Sequence, residues 1–230
     1  MSLSEKALIE TIQCVGEDVP HIVKTPEFTL LRTHHEQVSL DKLHSLFNEL
    51  QDPDEVFKYC GWSHHSKTDE TKNFLDKRTE EWMNDEKYSY VIVKQGEYVG
   101  TTYIDVKSGG ATFGLWLRKK FWGENLHGRV TDARIHVAFQ ELDLMYVDVG
   151  CLDYNEKSLR SITEYINRYG GSYYGSPLVS YSNYGGGDEL VPHHEFVITQ
   201  EQYRSSEDKI DTTIPSVEWS DTSLFDRVKR

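Results

Sequence analysis

The sequence has few cysteines and no long apolar run. Cysteine occurs three times in 230 residues, as Cys14, Cys60 and Cys151, with no CxxC pair. This number and spacing exclude a disulfide-rich scaffold and fit a reducing compartment, so we expect a cytoplasmic protein. No stretch approaches the roughly 20 apolar residues that cross a bilayer. Carboxylates interrupt the apolar residues near the N-terminus, so we expect neither a signal peptide nor a membrane partner.

Positive charge is scarce too. Lysine and arginine number 25 against 38 aspartates and glutamates, which gives a formal net charge of -13. Such a chain repels the phosphate backbone of nucleic acid, which argues against nucleic acid as a partner. The charge is compatible with a cationic substrate such as an amine, and equally with simple solubility.

Motifs for metals and dinucleotides are absent from the sequence. Histidine occurs in adjacent pairs, but neighbouring residues on a strand point to opposite faces and do not easily hold one ion. No HExxH or clustered carboxylate pattern supports the pairs, which are His34-His35, His64-His65 and His193-His194. We therefore expect no metal. No strand–GxGxxG–helix unit opens an alternating parallel pattern, which excludes a Rossmann-type nucleotide binder.

The apolar spacing predicts one α/β domain with an extension at each end. Residues 1–25 are predicted to be an N-terminal helical extension, 26–203 the main domain and 204–230 a polar C-terminal tail. The main domain has the order strand, helices, three-strand meander, helix, strand, helix, strand. An antiparallel front followed by a parallel crossover is the expected architecture.

The predicted elements of the main domain follow from its periodicity. Strands are expected at 27–33, 88–94, 98–106, 112–117, 145–152 and 193–199, and helices at 40–50, 53–59 and, capped by Ser66 or Thr68, up to Trp82. A further helix buries Leu126, Val130, Ala133 and Val137, and the next ends at Gly170-Gly171. Residues 172–187, rich in Gly, Ser and Tyr, are predicted to be a loop.

The segment from Thr112 to Arg129 combines the features of a phosphate site. It passes from an apolar strand through a basic and aromatic elbow into a loop with Gly123 and Gly128, and then into a helix. A helix start carries unpaired backbone N–H groups and the positive end of the helix dipole, which suits phosphate. Four basic residues crowd this point: Arg118, Lys119, Lys120 and Arg129.

A second strand-to-helix junction follows the strand that ends at Leu152. Its sequence is Asp153-Tyr154-Asn155-Glu156-Lys157-Ser158. Asn155 is a good N-cap, and Ser158 lies in the first turn, where it can cap the helix or supply a proton in catalysis. Cys151 alternates with apolar neighbours and is predicted to be a core residue rather than a nucleophile. Two such junctions, the first suited to phosphate, suggest an acyl-CoA site.

Five groups of residues occur in an order and spacing more specific than any one of them. They are Phe28-Thr29-Leu30-Leu31-Arg32, Tyr90-Val91-Ile92-Val93 with Tyr98-Val99-Gly100, Gly114-Leu115-Trp116-Leu117, Phe121-Trp122-Gly123, and Asn155-Glu156-Lys157-Ser158. In this order they resemble the GNAT superfamily of acetyl-CoA-dependent N-acetyltransferases, and more closely its branch that acetylates ribosomal-protein N-termini. The resemblance covers roughly residues 26 to 200.

The resemblance implies an α/β GNAT fold: a mixed, mostly antiparallel twisted sheet with helices on both faces and central strands splayed for CoA. Pantetheine would lie in the gap between the strands, the pyrophosphate would rest on residues 123–128, and acetyl-CoA would be the co-substrate. The implied cofactor-binding residues are Trp116, Leu117, Arg118, Gly123, Glu124, Asn125, Leu126, His127, Gly128, Asn155 and Ser158. Asn155 and Ser158 are also the implied catalytic residues.

Three positions depart from the family pattern. Asn125 replaces the second glycine of the loop, although asparagine tolerates the left-handed conformation. His127 replaces a small residue and can crowd the diphosphate or hydrogen-bond to it. Thr112 stands where relatives often carry a glutamate base. The substitutes by location are Asp105, Tyr103, Glu195 and His194, and deprotonation through ordered water needs none of them.

The resemblance therefore predicts an N-acetyltransferase that moves the acetyl group of acetyl-CoA directly to an amine. The acceptor would be a ribosomal or other protein N-terminus or a small-molecule amine, with the backbone N–H groups around Trp116–Arg118 polarising the thioester. The alternative is a non-catalytic GNAT-like module that binds CoA weakly or acts through protein interaction, which Asn125, His127 and Thr112 favour. Either a monomer or a homodimer is expected.

Overall fold

The computed structural model describes residues 19–48, 59, 64–180, 187–206 and 216–218. The strands in these ranges are β1 (Ile22–Lys24), β2 (Thr29–Arg32), β3 (Lys87–Lys94), β4 (Glu97–Lys107), β5 (Gly110–Leu117), β6 (Tyr146–Leu152), β7 (Ser172–Gly175), β8 (Leu178–Ser180), β9 (Leu190–Thr199) and β10 (Ser216–Glu218). They form a mixed sheet in the order β10-β1-β2-β3-β4-β5-β6-β9-β7, with β8 also paired to β9. The pairing is antiparallel except between β5 and β6.

Tight hairpins build the antiparallel half of the sheet. Gln95 and Gly96, with φ of 52° and 79°, turn β3 into β4. Positive φ at both central residues is the geometry of a type I′ turn, whose twist matches that of the flanking strands. Residues 107–110 turn β4 into β5. The predicted meander is thereby confirmed.

Helices cover both faces of this sheet. They are α1 (Leu40–Asn48), α2 (Thr68–Met83), α3 (Leu126–His136), α4 (Glu156–Tyr169) and α5 (Gln200–Ser206), and Val137–Glu141 prolong α3 as a π-helical turn. None of the helices in the described ranges combines the length and the hydrophobicity that crossing a membrane requires.

Alternation along β3 separates two cores. Tyr88, Tyr90 and Ile92 pack with α3, whereas Val91 between them packs with α1 on the opposite face. The predicted α3 stripe, which is Leu126, Val130, Ala133 and Val137, is at most 2% exposed. A third cluster packs α4 onto β6 and β9 through Ile162, Ile166, Val147, Val149 and Phe196. The predicted mixed α/β architecture is therefore confirmed.

Two local predictions were wrong. Lys67, rather than Ser66 or Thr68, is the N-cap of α2, and the Glu70 carboxylate accepts its backbone N–H at 2.9 Å. The predicted loop at 172–187 contains β7 and β8, because both segments pair with the long strand β9.

The ends of the sheet lie beyond the predicted main domain. β1 and β10 pair with each other on the outer side of β2, so residues on both sides of the 26–203 span contribute to the sheet. The predicted helices within residues 1–18 and at 53–58 lie outside the described residues, and the predicted domain boundaries stay a prediction.

Candidate active site

A gap opens between the two parallel strands at the centre of the sheet. β5 and β6 pair only from Gly110 with Tyr146 to Thr112 with Asp148. Beyond that point β5 stays paired with β4 as far as Leu117, and β6 stays paired with β9 as far as Leu152. The central strands are therefore splayed, as the resemblance implied, with residues 113–117 on one side of the gap and 149–152 on the other.

The backbone of β5 offers polar groups to this gap at alternate residues. The Arg118 N–H donates to Val99 C=O at 2.9 Å, so Arg118 and, two residues earlier, Trp116 direct their backbone groups toward β4. Leu115 and Leu117 consequently direct theirs toward the gap. The backbone N–H groups of Trp116 to Arg118 were predicted to polarise the thioester. Of these three residues, only Leu117 directs its backbone groups toward the gap, and Leu115 does so as well.

Trp116 has a different role from the one implied. Its indole is 7% exposed and stacks on Phe47 of α1, with ring centroids 6.2 Å apart. The side chain therefore holds α1 on the sheet. The Leu117 C=O accepts from the Trp122 indole N–H at 2.9 Å, which joins the end of β5 to the elbow that follows.

The loop before α3 adopts the conformation that a phosphate site requires. Asn125, the N-cap of α3, has φ 56° and ψ 16°, so asparagine does occupy the left-handed region that family members fill with glycine. A Cβ at Gly128 would lie 2.8 Å from the Asn125 Oδ1, so a larger residue there would displace the amide. The backbone N–H groups at the start of α3 thus retain their usual geometry.

The basic residues around this loop are paired with carboxylates. Arg118 and Lys120 both contact Glu97, and Arg129 contacts Glu27. The positive charge predicted for the phosphate site is therefore largely compensated within the protein. The backbone N–H groups and the dipole at the start of α3 remain as the uncompensated positive features of this loop.

The His127 side chain is directed toward α4. Its Nδ1 lies 2.7 Å from Ser161 Oγ and its ring stacks on Tyr165, both on α4. Burial, with a contribution from Arg134, lowers the pKa of His127 to about 3, so the ring is neutral. The side chain therefore joins α3 to α4.

The second junction combines a helix cap with a buried thiol. Asn155 is the N-cap of α4, and its Oδ1 accepts the Ser158 N–H at 3.2 Å. The Ser158 hydroxyl hydrogen-bonds the Cys151 thiol, while burial raises the pKa of that thiol to about 11. Cys151 is 6% exposed and belongs to the core between β6 and α4. The prediction that Cys151 is a core residue is confirmed.

Of the predicted bases, three are committed to other contacts. The Asp105 carboxylate lies 3.1 Å from Lys87 Nζ, and the same ammonium lies 4.8 Å from the centre of the Tyr103 ring. His194 Nε2 lies 2.9 Å from the Asp153 carboxylate. These arrangements favour structural roles for Asp105, Tyr103 and His194.

Glu195 lies in a polar group of different character, on the sheet face opposite α3 and α4. The register of β6 and β9 makes it a diagonal neighbour of Asp148, the β6 residue at which the gap closes. Burial and the charge of Glu195 raise the pKa of Asp148. Tyr174 hydrogen-bonds Glu195, and His193 Nδ1 lies 3.5 Å from its carboxylate. A carboxylate of raised pKa beside the gap between β5 and β6 has the character of a general base.

The sequence reasoning missed Asp148. The signal was present, because polar Tyr146, Asp148 and Gly150 alternate with buried Val147 and Val149 along the strand. Among the residues that the structure describes, no three His, Cys, Asp or Glu side chains come together in a group that would hold a metal ion.

Comparison with known proteins agrees with this geometry. A family model described as "Acetyltransferase (GNAT) domain" matches residues 30–164. A GCN5-related N-acetyltransferase from Brucella melitensis is similar in structure, with TM-score 0.65, 13% identity and coverage of 83% of this chain and 86% of the other. No curated protein matches the sequence significantly.

Two further structural neighbours have more specific titles. The ribosomal L7/L12 alpha-N-protein acetyltransferase RimL has TM-score 0.64 and 15% identity, over 78% of this chain and 94% of its own. The microcin C7 self-immunity acetyltransferase MccE, in complex with acetyl-CoA and AMP, has TM-score 0.61 and 16% identity, over 76% and 93%. At these identities the likeness establishes the fold alone.

Proposed function

Because the chain belongs to the GNAT acetyltransferase family, we propose that it transfers the acetyl group of acetyl-CoA directly to an amine. The acceptor is either a protein N-terminus or a small-molecule amine, the two kinds of substrate that the names of RimL and MccE suggest. We propose the cytoplasm as the compartment of this reaction, which the few, scattered cysteines support.

The observation that carries the proposal is the gap between β5 and β6. A pantetheine arm carries amides, and the outward-facing backbone groups of Leu115 and Leu117 can pair with them as a neighbouring strand would. The loop from Gly123 to Gly128 then receives the diphosphate on the free N–H groups of α3. Bound acetyl-CoA would supply the acetyl thioester. The residues of the chain orient this thioester and accept or donate the protons of the reaction.

Asp148 and Glu195 are the proposed base. An amine attacks only when it is neutral, and a carboxylate pair on the sheet face opposite α3 and α4 attracts the ammonium form and removes its proton. The pKa of Asp148 is raised, so it lies closer to neutral pH than that of an ordinary aspartate. Glu195 was among the sequence candidates, and Asp148 now joins it.

Ser158 and Asn155 act at the other side of the gap. The Ser158 hydroxyl hydrogen-bonds the Cys151 side chain and lowers the pKa of its thiol, so it is suited to donate to the sulfur of a departing thiolate. Asn155 holds the first turn of α4 in place through its cap. We therefore assign proton donation to Ser158, and we assign the positioning of Ser158 to Asn155.

One observation favours the rival, a non-catalytic module. The contacts of Arg118 and Lys120 with Glu97, and of Arg129 with Glu27, leave less positive charge for CoA phosphates than the sequence suggested. Exposed ion pairs contribute only ~0–1 kcal/mol each, so phosphate can displace them. The affinity for acetyl-CoA therefore helps to distinguish an acetyltransferase from a non-catalytic module.

The first test is binding followed by turnover. A large excess of acetyl-CoA should raise the melting temperature by mass action, and titration calorimetry should detect the same binding. Released CoA is then measured with a panel of N-terminal peptides and small amines. Absence of both thermal shift and binding heat at millimolar acetyl-CoA would refute the proposal, and binding without turnover on any amine would support the rival.

A further inference from the structure

A buried arginine lies beside the gap, on the face of the sheet that α3 and α4 cover. Arg134 is about two turns into α3 and 2% exposed. One Nη donates to Gly114 C=O at 3.0 Å, and the other donates to Thr131 Oγ1 at 2.7 Å. The Phe113 ring covers the guanidinium at 4.6 Å. Gly114 lies in the part of β5 that is splayed from β6, and by the alternation of the strand its C=O is directed toward β4, so the guanidinium is fixed beneath β5 from the α3 side.

This cation has no direct anionic partner in the described part of the chain. No described carboxylate forms a salt bridge with Arg134, and its Nε has no hydrogen-bond partner there. Asp132, two residues earlier, is instead bound by Arg168 at 2.6 Å and by the Tyr169 hydroxyl at 3.0 Å. Burial lowers the pKa of Arg134 to about 10, so it stays charged at neutral pH. Asp132 attracts the guanidinium through space, but no described carboxylate contacts it directly, so an anion that arrives with the substrate would stabilise this buried charge further.

The location of Arg134 indicates which part of the substrate supplies this anion. Gly114 lies two residues beyond Thr112, the last β5 residue that pairs with β6. With the diphosphate at the start of α3, the remainder of acetyl-CoA runs past Leu117 and Leu115 toward this closed end of the gap. The diphosphate and the thioester thus occupy opposite ends, and Arg134 is at the thioester end.

Electrostatic contacts link Arg134 with the Ser158 side of the gap. Burial raises the pKa of the Tyr165 hydroxyl on α4, while Arg134 opposes the rise and Cys151 adds to it. Cys151 in turn receives the Ser158 hydrogen bond. Arg134 contacts β5 and Ser158 follows β6, and Tyr165 and Cys151 connect the two electrostatically.

We propose that Arg134 stabilises the thiolate that departs when the acetyl group is transferred, an inference that rests on the proposed function. In that step the amine nitrogen bonds to the acetyl carbonyl carbon, the carbon–sulfur bond breaks, and its electron pair stays on sulfur. The amine proton passes to the Asp148–Glu195 pair. A guanidinium about 4–6 Å from a thiol favours its anionic form, and the Ser158 hydroxyl donates to the same sulfur. Without this role, Arg134 only supports the Gly114 carbonyl.

Proton release on CoA binding distinguishes the two roles. Calorimetry in two buffers of different ionisation enthalpy gives the number of protons released when CoA binds and when acetyl-CoA binds. The phosphates are common to both ligands, so the difference reports the thiol alone. We expect wild-type protein to release more protons with CoA than with acetyl-CoA at slightly alkaline pH, because the bound thiol ionises more readily than the free one.

Three variants make the test specific. Arg134→Met removes the charge and keeps an apolar side chain of similar length, and should abolish the excess proton release and lower turnover roughly a hundredfold. Arg134→Lys keeps the charge and should retain most of the excess. Arg160→Met removes an exposed arginine of α4 and should change neither. Acetyl-CoA affinity should stay close to wild type in all three.

The outcomes separate this inference from the function on which it rests. Equal proton release by wild type and Arg134→Met, or no excess in wild type, overturns the role of Arg134 while acetyl transfer stands. If wild type fails to bind acetyl-CoA, the proposed function fails and this inference fails with it. If Arg134→Met does not fold, ultraviolet titration of CoA bound to wild type and to Arg134→Lys measures the thiol pKa directly. A bound pKa equal to that of free CoA then overturns the role.

Discussion

Asp148 and Glu195 show how register determines the chemistry of individual residues. Asp148 pairs with Val197 and Glu195 with Gly150, so the two carboxylates are diagonal neighbours on one face. Two like charges in a partly buried place disfavour ionisation of one of them. The same two residues on opposite faces would both be ordinary surface carboxylates.

The pH dependence of acetyl transfer should reveal this coupling. Activity should fall as pH drops through the raised pKa of Asp148, because only the deprotonated form accepts the amine proton. Glu195→Gln removes the like charge, so the acid limb of kcat/KM should move to lower pH. Asp148→Asn should lower kcat by roughly 10²–10⁴-fold. The measurement is a pH–rate profile with Glu189→Gln, an exposed residue just before β9, as control.

An acid limb in Glu195→Gln that stays in place or moves upward would contradict the coupling. A normal kcat in Asp148→Asn would show that another group, or water alone, accepts the proton.

Asn125 is a residue at which the loop can be tested by itself. Asn125→Gly should preserve or modestly tighten acetyl-CoA binding, because glycine removes the steric cost of φ 56° and lets phosphate approach. Asn125→Ala is the matched control, since it removes the amide and keeps a Cβ in the strained position. Calorimetry measures both. Loss of binding in Asn125→Gly would mean that the amide itself holds the ligand.

At the scale of elements, local chemistry was predictable and long-range pairing was not. The turn at Gln95-Gly96, the Asn155 cap and the α3 stripe each depend on residues a few positions apart, so the sequence contains the whole cause. The contacts of Glu97 with Arg118 and of Glu27 with Arg129 join distant residues. Those contacts form only in the folded sheet. The sequence analysis therefore assigned the basic residues to the phosphate site without their carboxylate partners.

The strands after α4 illustrate the same limit. Ser172–Gly175 and Leu178–Ser180 are short and rich in turn-forming residues, and they are strands only because β9 extends alongside them. Asp148 was overlooked for a related reason. Its neighbour Glu195 is distant in sequence, so the raised pKa exists only once β6 and β9 pair.

The start of α4 is the element whose division of labour can be measured. Ser158→Ala should lower kcat by roughly ten- to a thousandfold with acetyl-CoA affinity nearly intact, because it removes the proton donor. Asn155→Ala should cost about 1 kcal/mol of stability through loss of the cap and should also weaken cofactor binding. Rapid-mixing turnover, calorimetry and melting are measured on both, with Cys151→Ala reporting any effect of the Ser158–Cys151 contact alone. Equal losses of stability with normal turnover in both variants would reduce the segment to a helix start.

At the scale of the whole molecule, buried neutral histidines link stability to pH. Burial, together with the charge of nearby Arg32, lowers the pKa of His21 to about 4 and of His34 to about 3. Their rings lie around Trp82, at centroid distances of 6.0 and 5.4 Å. His127 between α3 and α4 has its pKa lowered to about 3 in the same way. Two of these histidines lie near the edge of the sheet and one lies between α3 and α4. Together they make the stability of both regions sensitive to acid.

We expect the free energy of unfolding to decrease as pH falls below about 6.5, the ordinary histidine value. In that range the unfolded chain binds protons and the folded histidines do not, and each such histidine adds a slope of up to about 1.4 kcal/mol per pH unit. The loss should continue toward pH 4 to 3, where the folded rings protonate. Asp132 and Asp148, whose pKa values are raised, act in the opposite sense, so a variant is needed to isolate the histidines. His34→Gln removes one titrating group and should flatten the slope between pH 7 and 5, even if the lost contact with Trp82 lowers stability at every pH. Urea denaturation at several pH values measures the slope, and a slope identical to wild type would show that His34 does not contribute to it.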